Sequence, residues 1–286
     1  FNYAYEEALI DQYSAFSYVS NDQGIYISSG MNFDSELGIK TNKKFSYSLK
    51  ALLDNPWSSF TEKGLSFGKS FQFNQGSIGI MTSFGKNSSM DPFDSESSNN
   101  NGMIIDFSNK SKNLGLQIGK LNEKGSFNGI ASSGMFNSDK SSITNFAGIN
   151  FAHETSLGLW VGSFYYGSNP GKQLNGIMNK VSKSNSNAFT LGYQPKFKNS
   201  GRKLVFSVSK PLRIAKGQLE LQLPAFRTPN KNVLMSSHTL HMAPESEEIH
   251  SKITYEQNLK VGFINGVIGY RSCLLYTSDA ADESRG

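Results

Sequence analysis

The chain has 286 residues, with 28 Lys and Arg against 23 Asp and Glu, which gives a formal net charge of +5. The mean hydropathy is −0.40, and no apolar run approaches the roughly 20 residues that a membrane-spanning helix requires, which excludes a helical membrane protein. The one cysteine, Cys273, excludes a disulfide framework and a cysteine-based metal site.

Only the N-terminal residues have a helical pattern. Residues 3–16 place Tyr5, Leu9, Tyr13 and Phe16 at helix-like spacing, with acidic residues in the first turn. We expect a short helix or a linker here.

From residue 45 onward the dominant pattern is the alternation of apolar with small or polar residues, which is typical of β-strands. The clearest pair is 65–73 and 77–84, which a tight turn at 74–76 joins into a hairpin. About eleven strands are predicted, and a short ribbon is predicted at 219–223. The eleven are 45–53, 64–73, 77–85, 103–109, 114–121, 143–152, 157–167, 187–197, 203–212, 249–259 and 261–271. The predicted class is all-β.

The connections between these segments alternate between short and long. The long polar ones are 86–102, 122–142, 168–186 and 213–248. An antiparallel up-and-down transmembrane β-barrel has this pattern, because its short turns lie at one rim and its long loops at the other. Aromatic residues near strand ends also suit a barrel. They are Trp160, Tyr165, Tyr166, Tyr193, Tyr255 and Tyr270. Single-chain bacterial barrels have an even number of strands, so we expect a twelfth strand beyond residue 271.

Two stretches contain distinctive motifs. Residues 115–151 contain a strand, a Glu-Gly turn and a Gly-x-Phe sequence, and residues 188–224 contain an SxPLRxxxGxLxLxLP element. Both stretches resemble the C-terminal barrel of alphaproteobacterial subtilisin-family (subtilase) autotransporters. Residues at the matching positions of the second stretch are Pro211, Leu212, Arg213, Gly217 and Pro224. The family's terminal strand and its upstream peptidase domain have no counterpart in this sequence.

The resemblance implies an outer-membrane anchor and translocator of a Gram-negative serine peptidase, with long loops extracellular and short turns periplasmic. The implied partners are outer-membrane lipid, the chain's own passenger domain and the barrel assembly machinery, and a monomeric barrel is implied. The full-length parent is implied to be a subtilisin-like endopeptidase, whereas this fragment is expected not to be an enzyme. Neither a cofactor nor a metal is implied.

Three regions are expected along the chain. Residues 1–44 are expected to be a linker that enters the pore, and 45–272 the truncated barrel. The tail 273–286 contains CLLYTSDAADE, which looks like the translation of a sequencing-library adapter. We therefore expect this tail to be non-native and the natural chain to be open at both ends.

Three groups of residues partly match catalytic or metal-binding patterns, and each has a simpler structural explanation. Residues 64–68 match the GxSxG nucleophile elbow, but Ser66 lies in an alternating strand and is expected to be a small lumen-facing residue. The acidic residues of the loop 86–102 do not have EF-hand order; they are Asp91, Asp94 and Glu96. A pair of histidines with nearby glutamates suggests a metal site only weakly, because no helical pattern supports it. These residues are His238, His241, Glu245, Glu247 and Glu248. We predict no catalytic, cofactor-binding or metal-binding residues.

The distribution of basic residues argues against nucleic-acid binding, and one arginine is expected to have a structural role. Lys and Arg are scattered singly, without the aromatic-basic clusters of nucleic-acid binders, so no nucleic acid is expected. Arg213 is expected to donate hydrogen bonds at the outer end of its strand. Two alternatives to the translocator remain open, a porin-like outer-membrane channel and a soluble all-β sandwich or binding module.

Overall fold

A computed structural model describes most of the chain. The described residues are 16–20, 24–29, 46–61, 63–87, 98–109, 113–124, 126–127, 130–131, 141–174, 177–197, 201–228, 233–244, 246–259 and 262–272. The expected tail at 273–286 and the acidic residues of the loop 86–102 lie outside this part.

The described residues form eighteen β-strands, one α-helix and one 3-10 helix. The helix α1 is Tyr47–Ala51, and the 3-10 helix is Ser58–Thr61. The strands are β1 (Phe16–Ser20), β2 (Ile25–Ser29), β3 (Lys63–Phe73), β4 (Gly76–Asn87), β5 (Ser98–Asn109), β6 (Leu114–Lys124), β7 (Ser126–Phe127), β8 (Ile130–Ala131), β9 (Ser141–Glu154), β10 (Gly158–Asn169), β11 (Lys172–Gln173), β12 (Met178–Val181), β13 (Ser184–Pro195), β14 (Arg202–Lys216), β15 (Gln218–Arg227), β16 (Val233–His241), β17 (Ile249–Leu259) and β18 (Gly262–Ser272).

Twelve strands form one antiparallel sheet in the order β1-β2-β3-β4-β5-β6-β9-β10-β13-β14-β17-β18, and the remaining strands form a four-stranded sheet and a two-stranded ribbon. The predicted all-β class is confirmed. Within the described residues β1 and β18 each pair on one side only, so a closed barrel is not observed. No helix in the described part of the chain is long and apolar enough to cross a membrane.

Ten of the eleven predicted strands are confirmed, and the first, 45–53, is wrong. Ser46 caps α1 there, with its Oγ accepting a hydrogen bond from the amide of Leu49 at 3.0 Å. A Ser N-cap followed by leucines at 49, 52 and 53 is a helix pattern, because residues three and four apart share a helix face. The tertiary structure also favours this helix, since Leu49 and Leu53 are buried.

The large sheet also includes two strands that precede residue 45. β1 and β2 lie within the expected linker 1–44, and β2 pairs with β3 from Ile25 opposite Lys69 to Ser29 opposite Leu65. The helix predicted for 3–16 falls outside the described residues except for Phe16, which begins β1. The sheet therefore has twelve strands because it gains β1 and β2 and lacks 45–53.

The connections of the large sheet alternate in length, as the sequence predicts. β3 joins β4 through residues 74–75, whereas β4 joins β5 through residues 88–97. The long connection from β14 to β17 contains β15 and β16, so part of the predicted loop 213–248 is a hairpin. Because consecutive strands are antiparallel neighbours, all short connections lie at one end of the sheet and all long ones at the other.

The two faces of the large sheet differ in polarity, and the polar face is the one that is buried. We call the face that is buried the inner face; most of its side chains are small or polar, among them Ser66, Gln117, Asn150 and Ser186. The opposite, outer face exposes large apolar side chains. One outer row runs in register across seven strands and contains Phe71, Ile78, Phe107, Leu116, Ile149, Phe164 and Phe189.

The large sheet, which we call the wall, curves around its inner face. Ser48 and Leu53 are roughly 8 Å apart along a helical segment, yet Leu53 is hydrogen-bonded to Asn150 of β9 and Ser48 to Glu256 of β17. These two strands are four places apart in the sheet, which corresponds to about 19 Å in a flat sheet. Curvature of the wall brings both strands to the same short segment.

Aromatic rings of the inner face lie over glycines of the neighbouring strands. Tyr165 is directly opposite Gly148, and Phe146 is directly opposite Gly119. A Cβ added to Gly148 would lie 2.0 Å from the Tyr165 ring, and one added to Gly119 would lie 2.3 Å from the Phe146 ring. These glycines provide the space that the rings occupy.

Gly148→Ala is expected to lower the free energy of unfolding by about 1–3 kcal/mol, since the added methyl group overpacks the site against Tyr165. The matched control is Gly266→Ala, because a Cβ at Gly266 meets nothing within 4 Å. Urea denaturation followed by circular dichroism measures both. Equal effects of the two substitutions would contradict this account of the glycine.

Candidate functional site: the inner face and residues 46–61

Residues 46–61 lie on the inner face and contact strands across the sheet. We call them the inner segment. It consists of α1, a turn through Pro56, and the 3-10 helix. Its first residues reach β13 and β17, and its last reaches β4. The inner segment therefore fills the space around which the sheet curves.

Two hydrophobic clusters hold the inner segment. Near the end with short connections, Leu49 of α1 and Leu53 just after it pack with Ala152, Val161 and Val205 of the wall. Further along, Trp57 joins a second cluster with residues from β2, β4, β5, β6, β9, β10 and β13. The wall members of this cluster are Tyr26, Met81, Ile104, Leu121, Phe146, Tyr165 and Ala188. The apolar side chains of the inner face therefore concentrate where the segment lies.

Trp57 is the central side chain of the second cluster and is 1% exposed. Its ring stacks on Phe146 with centroids 4.7 Å apart and meets Tyr165 edge-on at 6.2 Å. A Cβ on Gly167 would lie 2.3 Å from the Trp57 ring, so this glycine makes room for it. The segment and the wall are complementary in shape at this point.

Polar side chains of the wall bind the backbone of the inner segment. The amide nitrogens of Ser46 and Ser48 donate to Gln194 Oε1 and to Glu256 Oε1 at 3.0 and 2.9 Å. The Ser48 hydroxyl also donates to Glu256. The carbonyls of Leu52, Leu53 and Phe60 accept hydrogen bonds from the wall. Their donors are Ser163, Thr190, Tyr165, Asn150 and Asn100.

Side chains of the segment complete the network at its turn and at its end. Asn55 Nδ2 donates to Gln117 Oε1 at 3.1 Å, and the same oxygen accepts from the Tyr165 hydroxyl at 2.9 Å. Thr61 Oγ1 donates to Ser83 Oγ at 2.8 Å. Because all five residues are buried, these hydrogen bonds replace the water that the groups lose on folding.

Charged groups also lie on the inner face. Asp106, Glu123 and Glu256 are buried there, and Glu256 stands directly opposite Lys203 on the neighbouring strand. Lys203 thus places a positive charge beside the carboxylate of Glu256. The face is thus polar with charges of both signs.

A cluster of ion pairs lies where β14, β17 and β18 meet the long connections. The hydrogen bond from Lys210 lowers the pKa of the Glu247 carboxyl. Hydrogen bonding to His250, and secondarily to Arg271, lowers the pKa of Glu248. As expected, Arg213 donates two hydrogen bonds here, to the carbonyls of Ser246 at 2.6 Å and Pro244 at 3.2 Å.

The histidines and glutamates that suggested a metal site only weakly do not come together in the structure. His238 and His241 are exposed on β16, where residues three apart point to opposite faces. Glu247 and Glu248 are engaged with Lys210 and His250, and Glu245 lies outside the described residues. Within the described part of the chain no group of three His, Cys, Asp or Glu is placed to hold a metal ion.

Ser66 lies in the middle of β3 on the inner face, opposite Ser28 and Ser83. Its extended backbone lacks the sharp turn of a nucleophile elbow. Tyr165, which the sequence analysis named among the aromatic residues near strand ends, is buried on the inner face. The sequence analysis also missed the inner segment, whose signal was the capped leucine pattern at 46–53.

Comparison with protein-family models, with curated proteins and with solved structures found no match to this chain.

Trp57→Ala is expected to lower the free energy of unfolding by about 3–5 kcal/mol, because it leaves a cavity between Phe146, Tyr165 and Gly167. Phe226→Ala is the control, since Phe226 is 62% exposed on β15 and its removal should change stability by less than about 0.5 kcal/mol. Thermal unfolding followed by circular dichroism measures both variants. A Trp57 variant as stable as the Phe226 variant would show that the inner segment does not pack as described.

The ion pairs near Glu248 are expected to make stability fall in acid. Its folded-state pKa lies below the ordinary value of 4.5. The stabilisation is therefore present above the unfolded-state pKa and is lost as the pH falls through the folded-state pKa.

Urea midpoints between pH 6 and pH 3 should therefore depend less on pH in Glu248→Gln than in the parent. Ser246→Ala, in the same connection, keeps both carboxylates and should retain the parent's dependence. An unchanged profile in Glu248→Gln would contradict this assignment.

Proposed function

We propose that the chain is an outer-membrane β-barrel that anchors and exports a passenger domain, the translocator unit of a subtilisin-like autotransporter. The observation that carries this proposal is the polarity of the large sheet, which buries Ser, Thr, Asn and Gln and exposes Leu, Ile and Phe. A sheet in water has the opposite arrangement, because burial of apolar surface drives folding. A sheet surrounded by lipid requires an apolar outer face and tolerates a polar interior.

The dimensions of the outer apolar surface support a membrane setting. The ten long strands from β3 onward in the large sheet have 11–15 residues, and a barrel strand needs about 9–11 to span a bilayer. On β10, outward residues from Trp160 to Tyr166 cover roughly 20 Å along the strand. The apolar surface thus has about the height of the 25 Å band of such barrels.

The borders of this surface fit as well. Toward the long connections a row of polar residues crosses the outer face, composed of Lys120, Asn145, Ser168 and Asn185. Toward the short connections Trp160 and Tyr193 pack with ring centroids 4.5 Å apart. Aromatic residues with polar groups favour the boundary between lipid and water. We propose that the long connections face the outside of the cell and the short turns the periplasm, as they do in bacterial outer-membrane barrels.

Closure of the sheet is part of the proposal. In lipid an unpaired backbone amide or carbonyl costs several kcal/mol, so a spanning sheet has to pair its edges. The free edges of β1 and β18 would be paired in the membrane, either with each other or with a further strand. The monomeric barrel, its lipid surroundings, its passenger and its assembly machinery are proposed on the basis of the sequence resemblance.

A soluble sandwich and a porin-like channel each leave one observed feature of the sheet unexplained. A soluble sandwich would bury the row from Phe71 to Phe189 between layers, whereas these residues lie on the outer face. A porin-like channel needs an open interior, and here the inner segment with Trp57 occupies the inner face. We propose anchoring and export as the function of this chain, with peptide-bond hydrolysis assigned to the passenger.

The two tryptophans test the membrane setting directly, because Trp57 is buried inside and Trp160 is 39% exposed on the outer face. Each is isolated by replacing the other with phenylalanine. After refolding into liposomes, lipids brominated on their acyl chains should quench at least half of the Trp160 emission in Trp57→Phe. They should quench less than about a tenth of the Trp57 emission in Trp160→Phe.

The buried Trp57 is the internal control for Trp160, since both variants are measured in the same lipid. Equal quenching of the two tryptophans, or a folded chain that stays dispersed in buffer without detergent or lipid, would refute the membrane proposal.

A further inference from the structure

A groove of about 470 Å³ lies on the outer face of the large sheet, across β10, β13, β14, β17 and β18. We call it the outer groove. One side of it is a row of apolar and aromatic residues that stand directly opposite one another on successive strands. The row is Trp160, Tyr193, Phe206, Ile253 and Ile268. The volume lies within the roughly 300–1,000 Å³ that is usual for ligand pockets.

A small residue in the adjacent row creates the depression. Ser251 stands directly opposite Val208 on one side and Tyr270 on the other. Val208 and Tyr270 are 40% and 71% exposed, so both project outward beside the serine. Because the Ser251 side chain is shorter than either neighbour, the surface is concave here, although the outer face of a curved wall is convex as a whole.

Polar side chains lie at the end of the outer groove toward the short connections. Arg202, the first residue of β14, is exposed and stands directly opposite Gln257. It shares the outer face with Phe206 and Val208, because residues an even number apart on a strand point the same way. Gln257 Oε1 accepts a hydrogen bond from the Tyr255 hydroxyl at 2.6 Å. The group that Gln257 presents to a ligand is therefore its donor nitrogen.

The charges around the outer groove favour an anion. The strands β10, β13, β14 and β18 contain no acidic residue, and the one acidic residue of β17, Glu256, is buried on the inner face. Arg202 is thus a cation on the outer face of these strands without a carboxylate beside it. A guanidinium group binds phosphate through paired hydrogen bonds. A zwitterionic headgroup would bring an additional ammonium group, for which these strands provide no acidic partner on this face.

The distance from Arg202 to the far end of the outer groove corresponds to one leaflet of a bilayer. Val208 is six residues further along β14, which is about 20 Å along a strand. With the strand tilt of about 35–45° that barrels have, this is roughly 15 Å along the membrane normal. One leaflet contributes about 15 Å of the roughly 30 Å hydrocarbon core. A phospholipid with its phosphate at Arg202 could therefore lay an acyl chain along the groove.

From this geometry we infer that the outer groove is a binding site for an anionic phospholipid. The phosphate binds Arg202 and Gln257, and one acyl chain lies in the depression at Ser251, beside Trp160 and Phe206. The inference rests on the proposed membrane setting, and it names one lipid that the chain selects and holds at a fixed position. The rest of the outer face contacts lipid without this selection.

Fluorescence of Trp160 tests the inference, because this side chain lines the outer groove. The protein is the full chain with Trp57→Phe in dodecyl maltoside micelles, and the probes are phosphatidylglycerol and phosphatidylcholine with brominated acyl chains. Phosphatidylglycerol should quench Trp160 with an apparent dissociation constant about fivefold lower than phosphatidylcholine, as expected for one basic residue near an anionic lipid. Equal dissociation constants would overturn the inference.

Two substitutions separate the headgroup from the acyl chain. Arg202→Gln should abolish the preference and leave the binding of phosphatidylcholine unchanged. Ser251→Phe fills the depression and should weaken both lipids about tenfold, the equivalent of roughly two buried methylene groups. The matched controls are Lys216→Gln, at the opposite end of β14, and Thr82→Phe, on the outer face of β4, and both should bind like the parent. A preference that survives Arg202→Gln, or equal effects of Ser251→Phe and Thr82→Phe, contradicts the assignment.

The chain with both tryptophans provides a second readout, which does not depend on folding of the Ser251 or Trp57 variants. It is released in a mass spectrometer from micelles that contain equal amounts of the two lipids. The protein should retain about fivefold more phosphatidylglycerol than phosphatidylcholine, and Arg202→Gln should remove this excess. Equal retention of the two lipids by the parent would overturn the inference.

The outcomes separate the inference from the proposed function. Lipid selection is measured in micelles, whereas the membrane setting is measured by the contrast of Trp57 and Trp160 in liposomes. A chain that inserts in liposomes without preferring phosphatidylglycerol loses only the inference. A chain that binds phosphatidylglycerol in the outer groove but stays dispersed in buffer without detergent or lipid loses only the proposed function.

Discussion

Burial of polar side chains on a single curved sheet is the constraint on which the rest of this structure depends. Each such group loses water and has to find a hydrogen-bonding partner inside the molecule, because an unpaired buried donor or acceptor costs about 1–3 kcal/mol. The inner segment provides many of these partners. Gln117 illustrates this, since its Oε1 accepts from both Asn55 and Tyr165. Wall and segment therefore stabilise each other.

Packing follows from the same arrangement. A curved wall leaves room for large rings only where the neighbouring strand has no side chain, and Gly119, Gly148 and Gly167 occur at those places. Phe146, Tyr165 and Trp57 use this room to form one apolar contact inside a polar interior. The glycines, which sequence patterns alone would assign to weak strands, are a condition for the plugged interior.

The outer face has no such internal requirements, and this difference connects the fold to the proposed function. Its side chains contact solvent or lipid rather than other parts of the protein, so their apolar character cannot be explained by packing within the described chain. The row from Phe71 to Phe189 is continuous across seven strands. The proposed membrane setting would account for this continuity, because burial of apolar area in a bilayer would replace burial in a core.

The sequence by itself determined the class, ten strands of the large sheet, and the alternation of short and long connections. These features are local, since a period of two and a turn such as 74–75 are properties of adjacent residues. Only the tertiary structure decided the course of residues 46–61, the addition of β1 and β2, and the inward position of Tyr165. Each of these depends on contacts between residues distant in sequence, as between Leu53 and Asn150 or Ser48 and Glu256. A local pattern specifies which face of a strand is apolar, but only the curvature of the whole sheet decides which face is buried and what fills it.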